Sequence, residues 1–242
     1  MKNIISLVAV VIAVLVITAC SEKDLRQAYQ VFTESTEDVP LTTTEVVAAL
    51  KDSLSQGISK GALMASARDG YYGNPRLKIE FPPEVSKVEE TLRKIGFGED
   101  VDRFVKQLNR GAEKAAAQAR PIFIKAITSM TIQDAFDILN GADDAATQYL
   151  VRTTGGELRQ QFLPIVSDTL RQTKATRYYG DIVNRYNQLP LVNDVDPDLD
   201  SYATDRAITG LFVLIADEEA RIRADPAART TELLRRVFGS LD

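Results

Sequence analysis

From Thr43 onward apolar residues return every three or four positions, and polar residues fill the faces between them. Val46, Val47, Leu50, Leu54 and Ile58 keep the i, i+3, i+4, i+7 spacing of an amphipathic helix, behind a threonine run able to cap its start. Val85, Val88, Leu92 and Ile95 predict a second helix that ends at Gly96. Val101, Phe104, Val105, Leu108, Ala112, Ala115 and Ala119 predict a third, whose alanine-rich later part suits close approach by another helix. Pro121 then opens or kinks a continuation through Ile122, Phe123, Ala126, Ile127 and Met130.

Thr131 with Asp134 three residues on has the form of a capping box for the next helix, stopped by Asn140 and Gly141. A short helix follows over residues 145–152. Leu158, Phe162, Ile165, Val166 and Leu170 predict another with Pro164 inside it, and Tyr178, Tyr179, Ile182, Val183, Tyr186 and Leu189 another again. The run from Ser201 carries Ile208, Leu211, Phe212, Ile215 and Ile222, with outer-face i, i+4 pairs Asp217 to Arg221 and Glu219 to Arg223. Pro226 restarts the chain at a first helical position, and Leu233, Leu234, Val237 and Phe238 close it before Gly239.

One segment breaks the period. Leu77, Ile79 and Phe81 alternate with Lys78 and Glu80 between Pro75 and Pro82, which is the pattern of a strand, with the extended piece at residues 189–192 as its expected partner. No repeat of fixed length appears, which argues against a solenoid. The pattern therefore predicts an all-α fold: a bundle of about eight to ten helices in a single domain over residues 43–242. At most one short extended or two-strand element interrupts it, near Leu77 to Phe81.

The residues before Thr43 read differently. Lys2 precedes an apolar run over residues 4–17 whose only polar residue is Ser6, and small residues lead to Cys20, the chain's one cysteine. The run is short of the roughly 20 residues a membrane-spanning helix needs and has the grammar of a signal peptide, residues 1–19. The segment resembles the lipobox of bacterial lipoproteins. That resemblance implies cleavage before Cys20 and acylation of its sulfur and new amino group, so that membrane lipid is the first expected partner. Each buried methylene contributes about 0.8 kcal/mol, and two or more chains anchor stably. Ser21 follows Cys20 where aspartate does not; in a Gram-negative host the resemblance then implies the outer membrane rather than the inner. Residues 20–42 are polar and acidic and read as a tether. About 20 flexible residues span roughly 25 Å. Leu25, Ala28, Tyr29 and Phe32 keep helical spacing within it.

Removing residues 1–19 takes away Lys2 alone among charged residues, so the 29 basic residues become 28 against 34 acidic, net −6. Nothing in that balance suggests nucleic acid, whose phosphates call for a concentrated basic patch. No disulfide can form from one cysteine. The absence of histidine removes Ser-His-Asp and Cys-His arrangements, histidine-ligated metals and the usual neutral-pH proton shuttle. Carboxylate pairs, Ser-Lys dyads and oxygen-ligated cations remain, and the balance leans away from an enzyme.

Four constellations are candidates for function. Asn109, Arg110 and Glu113 stack on one helix face, as a ligand-binding polar knot or as an interhelix cluster that sets register. Asp194, Asp196, Asp198, Asp200 and Asp205 have the spacing of positions 1, 3, 5, 7 and 12 of a calcium loop. Leu199 stands where that loop wants glycine, Pro197 stiffens it, and Asp205 is shorter than the usual glutamate, so a solvated acidic turn capping the next helix is the competing reading. No other cofactor is expected. Tyr71 and Tyr72, in the turn with Gly73, Asn74 and Pro75, offer an aromatic clamp for sugar or peptide, or a roof over the core. Asp143, Asp144, Glu218 and Glu219 supply carboxylates for glycoside cleavage, or simply exposed helix faces.

Several blocks together resemble a known family. Asn74-Pro75 with Leu77-Lys78-Ile79, Asn109-Arg110-Gly111-Ala112-Glu113-Lys114-Ala115, Met130-Thr131 with Asp134-Ala135, and Ile138-Leu139-Asn140-Gly141 are the first group. Ala146-Thr147 with Tyr149, Gly210-Leu211-Phe212 before Glu218-Glu219, and Arg229-Thr230-Thr231 with Leu233-Leu234 and Val237-Phe238-Gly239 complete the set. The chain resembles the bacterial lipoproteins catalogued as domain of unknown function 4197, over nearly everything from Thr43 to Gly239. Gly111 departs from the alanine expected in its block, which loosens the helix by about 1 kcal/mol. The resemblance implies an exported, lipid-anchored helical protein and supplies no catalytic residues.

The expectation is thus a cell-envelope lipoprotein, held through acylated Cys20 and facing the periplasm. Its helical body would bind or scaffold an envelope protein or cell-wall partner. The alternative is a carboxylate-dependent hydrolase of wall material, assisted by calcium.

Overall fold

The computed structural model describes residues 42–94, 96–172, 179–180, 183–184, 187–188, 196 and 198–224. Residues 1–41, with the expected signal peptide, Cys20 and all of the expected tether but Thr42, lie outside the described residues. So do Asp194, the extended piece at 189–192, most of the helix expected over 178–189, and the closing helix after Pro226. All described elements belong to the unit Thr43–Asp242.

The fold is all-helical, as the periodicity predicts. Seven α-helices occur among the described residues, fewer than the eight to ten expected, and five of them run ten residues or more. They are α1 (Thr43–Ser66), α2 (Ser86–Lys94, after a 3₁₀ turn Pro83–Val85), α3 (Gly98–Ala116), α4 (Ala119–Thr128), α5 (Ile132–Leu139), α6 (Ala145–Gln172) and α7 (Leu199–Ala224). None of these is long and apolar enough to cross a membrane.

The count falls partly because two expected helices are one. In α6 the buried line Leu150, Thr154, Leu158, Phe162, Val166, Leu170 runs at i, i+4 straight through Gly155, Gly156 and Pro164. Thr154 sits on that line because its hydroxyl donates to the Leu150 carbonyl at 2.6 Å, which leaves no polar atom unpaired. Pro164 and Gln160 lie on the exposed face. There water can satisfy the carbonyl that a proline four residues on cannot, and burial of the inner line outweighs the proline cost of about 3 kcal/mol.

Elsewhere the local grammar holds. Gly96, at φ 96°, ends α2 in the left-handed conformation that favours glycine. The chain turns at residues 117–118 between α3 and α4, which places Pro121 in the first turn of α4, where its missing N–H is no loss. Thr131 and Asp134 form the reciprocal capping box at the start of α5.

The long helices α1, α3, α6 and α7 pack on one another: α7 lies against α1, α6 and α3, and α3 against α6. Small residues on α1 recur every four positions, at Ala49, Ser53, Gly57, Gly61 and Ala65, all buried. They let α7 come close enough that a Cβ added at Gly61 would touch the Leu214 carbonyl oxygen at 3.6 Å. Ile58, Leu108, Phe123, Leu150, Leu158, Phe162 and Leu211 fill the interior.

Candidate functional site

The polar knot on α3 turns inward. Asn109 is 0% exposed, with Val105 and Leu108 buried beside it. Its carboxamide oxygen accepts from the Ile79 N–H at 2.9 Å, and its nitrogen donates to the Ile79 carbonyl at 2.9 Å and to the Val105 carbonyl at 2.8 Å. One side chain thus supplies both backbone bonds that a neighbouring strand would give Ile79.

This corrects the expected strand. Leu77, Ile79 and Phe81 do alternate inward, all buried, with Phe81 against the Phe104 ring at 4.8 Å and the Tyr179 ring at 6.3 Å. Among the described residues, however, no strand forms. The alternation reports burial on one side of an extended segment, and a helix side chain supplies its backbone partner.

Glu113 holds the other end of the same loop. It is 5% exposed, and one carboxylate oxygen accepts from the Tyr71 and Tyr72 N–H groups at 3.2 Å each, while the other takes the Arg110 guanidinium. Arg110 reaches on to Asp69 at 2.6 Å; Asp69 stands at φ 65°, in the left-handed region. Tyr71 is fully buried, and its hydroxyl donates to the Ala207 carbonyl on α7 at 2.6 Å. Burial first, and the Glu113 charge second, push its phenol well above the ordinary tyrosine range. Gly210 makes room for that ring, since a Cβ there would lie 2.7 Å from it. Arg76 pairs with Asp217 through both terminal nitrogens at 2.7 and 3.0 Å, and Tyr202 donates to the Glu80 carbonyl at 3.2 Å. The loop over residues 67–82 is therefore buckled to α3 on one side and α7 on the other.

Tyr72 is half-buried and stays at the surface. Three cations surround its ring: Lys78 at 5.6 Å, Arg110 at 5.9 Å and Lys106 at 6.0 Å from the centroid. Of the two tyrosines, then, Tyr71 roofs the core and Tyr72 faces out among these cations.

The aspartates of the acidic turn go to separate partners. The Asp196 carboxylate accepts from the Asp198 N–H at 2.9 Å, and Asp198 accepts from the Ser201 N–H at 3.0 Å, capping α7. The hydrogen bonds from Ser201 hold the Asp198 carboxyl below its usual range. Asp200 accepts from the Ser167 hydroxyl, and Asp205 pairs with Arg159. Among the described residues no three acidic side chains are grouped to hold a metal ion.

Glu219 is the buried carboxylate whose role the sequence pattern missed. It is not on an outer face. Its oxygens accept from the Ala146 N–H at 2.9 Å, the Thr147 N–H at 2.8 Å and the Thr147 hydroxyl at 2.7 Å, capping α6 from another helix. Arg223 backs it at 3.0 Å and donates to the Ile138 carbonyl at 2.9 Å. The expected pair of Asp217 with Arg221 is also redistributed. Arg221 goes to Glu218, at 2.7 Å, and Glu218 also takes Lys60 at 2.7 Å, which leaves Asp217 to Arg76. Asp143 and Asp144 are exposed, and Asp144 accepts from Gln148. The sequence signals for Glu219 are its i, i+4 spacing to Arg223 and its place beside Glu218, and neither says that this face is buried.

Compared with known proteins, residues 40–239 match the family described as "Protein of unknown function (DUF4197)". No curated protein and no solved structure matches the chain significantly.

Proposed function

The chain belongs to the DUF4197 family of proteins of unknown function, and on that footing we propose that it is an envelope lipoprotein whose helical body is a binding or scaffolding module. In this reading the anchor is acylated Cys20, and the body faces the periplasm, at the outer membrane in a Gram-negative host.

The observation that carries the reading is how the buried carboxylates are engaged. Glu113 and Glu219 accept from backbone N–H groups of another segment and from a guanidinium of their own helix. A general acid or nucleophile needs a carboxyl free to meet a substrate. These two instead hold a loop and a helix start in place, which is the work of a body that presents a surface of fixed shape. The hydrolase alternative gains no support from such carboxylates, nor from Asp143 and Asp144 on the exposed surface.

The test is the mass of the protein purified from envelopes, together with palmitate labelling. The expected result is a chain that begins at Cys20, carries acyl chains and partitions into detergent, with Cys20→Ser unlabelled. An uncleaved chain, or a free thiol on a chain recovered in the aqueous phase, would overturn the anchor.

A further inference from the structure

We propose that Asn140 is a site of covalent modification, deamidation through a cyclic imide with the Gly141 nitrogen, and that the fold keeps this reaction latched at the end of α5. Asn140 is the one asparagine in the chain that glycine follows, and both residues are exposed. Glycine matters because its nitrogen, with no side chain beside it, meets the least hindrance in attacking the preceding carboxamide. Asn74 precedes Pro75, which has no N–H to give, and Asn109 is buried with its carboxamide bonded at both ends.

The reaction consumes only water. The Gly141 nitrogen bonds to Cγ of Asn140, its proton goes to the departing Nδ2, the Cγ–Nδ2 bond breaks and ammonia leaves. Water then opens the imide at either carbonyl. The product at position 140 is aspartate or, with one more carbon in the main chain, isoaspartate.

The turn itself demands this pair of residues. A Cβ at Gly141 would lie 2.6 Å from the Asp137 carbonyl oxygen and 2.7 Å from the Ala145 Cβ, so the close turn between α5 and α6 admits only glycine there. The Asn140 N–H and carboxamide both donate to the Phe136 carbonyl at 3.0 Å, which ends α5.

The same bonds hold the reaction back. Asn140 stands at φ −90° and ψ −1°, and ring closure needs rotation about its Cα–C bond until the Gly141 nitrogen eclipses Cβ. The Gly141 N–H donates to the Ile138 carbonyl at 3.3 Å, while Nδ2 is turned back toward Phe136. That Ile138 carbonyl also accepts from Arg223 at 2.9 Å, and Arg223 is held by Glu219 at 3.0 Å. The latch therefore runs from the attacking nitrogen to the buried pair that caps α6, and the imide forms only while this turn is open. Modification would be one-way in effect. The new carboxylate stands at the C-terminal end of α5, where the macrodipole is already negative, and isoaspartate lengthens a turn that has no room for a Cβ.

The test is a peptide map of the purified full chain, kept at mildly alkaline pH natively and in guanidinium chloride, in water labelled with heavy oxygen. The peptide carrying Asn140 should take up the label and resolve into aspartate and isoaspartate forms. It should do so on the order of 100-fold more slowly in the native chain than in the unfolded one, because a latched turn reacts only for the fraction of time it is open. Arg223→Ala should raise the native rate roughly tenfold, since the latched carbonyl loses a hydrogen bond from a charged donor. Arg223→Lys, which keeps the charge and gives up the fork, should fall between and carries the comparison if Arg223→Ala does not fold. Asn109→Leu, which loosens the body at a distant loop, should raise the rate far less. No conversion of Asn140 in the unfolded chain would remove the site and overturn the proposal. Native conversion as fast as unfolded, no acceleration from either Arg223 change, or equal acceleration from Asn109→Leu would overturn the latch.

Discussion

Asn109 takes the place of a partner strand for Ile79, with donor and acceptor of one carboxamide each 2.9 Å from the acceptor and donor of one buried residue. Thirty residues of chain separate the two, and both are 0% exposed. Asn109→Leu should therefore leave the Ile79 N–H and carbonyl buried and unpaired. The expected cost is about 3 kcal/mol in urea unfolding, since each orphaned backbone group costs roughly 1–3 kcal/mol. Asn109→Asp should be less damaging at pH 4 than at pH 7, because the protonated acid can still donate to the Ile79 carbonyl. A change within 0.5 kcal/mol for Asn109→Leu would show that water or a rearranged loop replaces the carboxamide.

Glu219→Gln keeps the shape and removes the charge. One end of the new amide must then present N–H to the Ala146 or Thr147 donors, and Arg223 loses the carboxylate charge it faces while keeping the Ile138 carbonyl. A loss of about 3 kcal/mol is expected, within the range for breaking a buried ion pair. Glu218→Gln should cost about 1 kcal/mol or less, because Lys60 and Arg221 are roughly half exposed and surface pairs are worth little. Comparable losses at the two positions would contradict the capping role of Glu219.

Two sets of glycines on the helices should respond in opposite directions. Gly155 and Gly156 in α6 have nothing within 4 Å of an added Cβ, so alanine at each should stabilise by about 1 kcal/mol through helix propensity. Gly210→Ala would place a methyl 2.7 Å from the Tyr71 ring, which is fully buried and tied to Ala207. It should destabilise by about 1–3 kcal/mol in spite of the same propensity gain. Gly111→Ala, which restores the residue expected in the family block, meets Val166 at an ordinary 3.5 Å and should be tolerated. Thermal melts of the four variants read all of these signs.

Acid should loosen the start of α7. The Asp198 carboxyl is held below its ordinary value by the side-chain and backbone hydrogen bonds of Ser201. A carboxyl depressed in the folded state adds stability above its unfolded pKa of about 3.9, and that stability is lost as pH falls through the folded value. The stability difference between the native chain and Asp198→Asn should therefore be present at pH 6 and shrink as acid protonates the carboxyl. A difference that grew on acidification would refute the assignment of Asp198 as the cap.

Much of this architecture was legible beforehand because helices are built from local rules. The 3.6-residue apolar period marks each amphipathic face, and the Thr131 and Asp134 capping box closes within four residues. The small-residue run on α1 was equally present in the chain, but its purpose became clear only with α7 lying against it. The join within α6 is hidden in the sequence because Gly155, Gly156 and Pro164 are breakers by propensity, and propensity yields where a buried line continues on both sides. At Leu77 to Phe81 the reverse holds: the alternation reports one-sided burial correctly, but it does not say whether a strand or a helix side chain completes the backbone, and here Asn109 does.

Apolar spacing and capping grammar were enough to establish an all-helical body, most of its helix starts and stops, and an inward face for Leu77, Ile79 and Phe81. The fold in three dimensions decided that Asn109 serves Ile79, that Glu113 serves the Tyr71 and Tyr72 backbone, and that Glu219 caps α6. The division has a physical cause. Periodicity reports how much of a segment must leave water, a demand that near neighbours set. The choice of partner for a buried polar or charged group depends on which distant group lies within about 3 Å after packing, a distance no local pattern encodes.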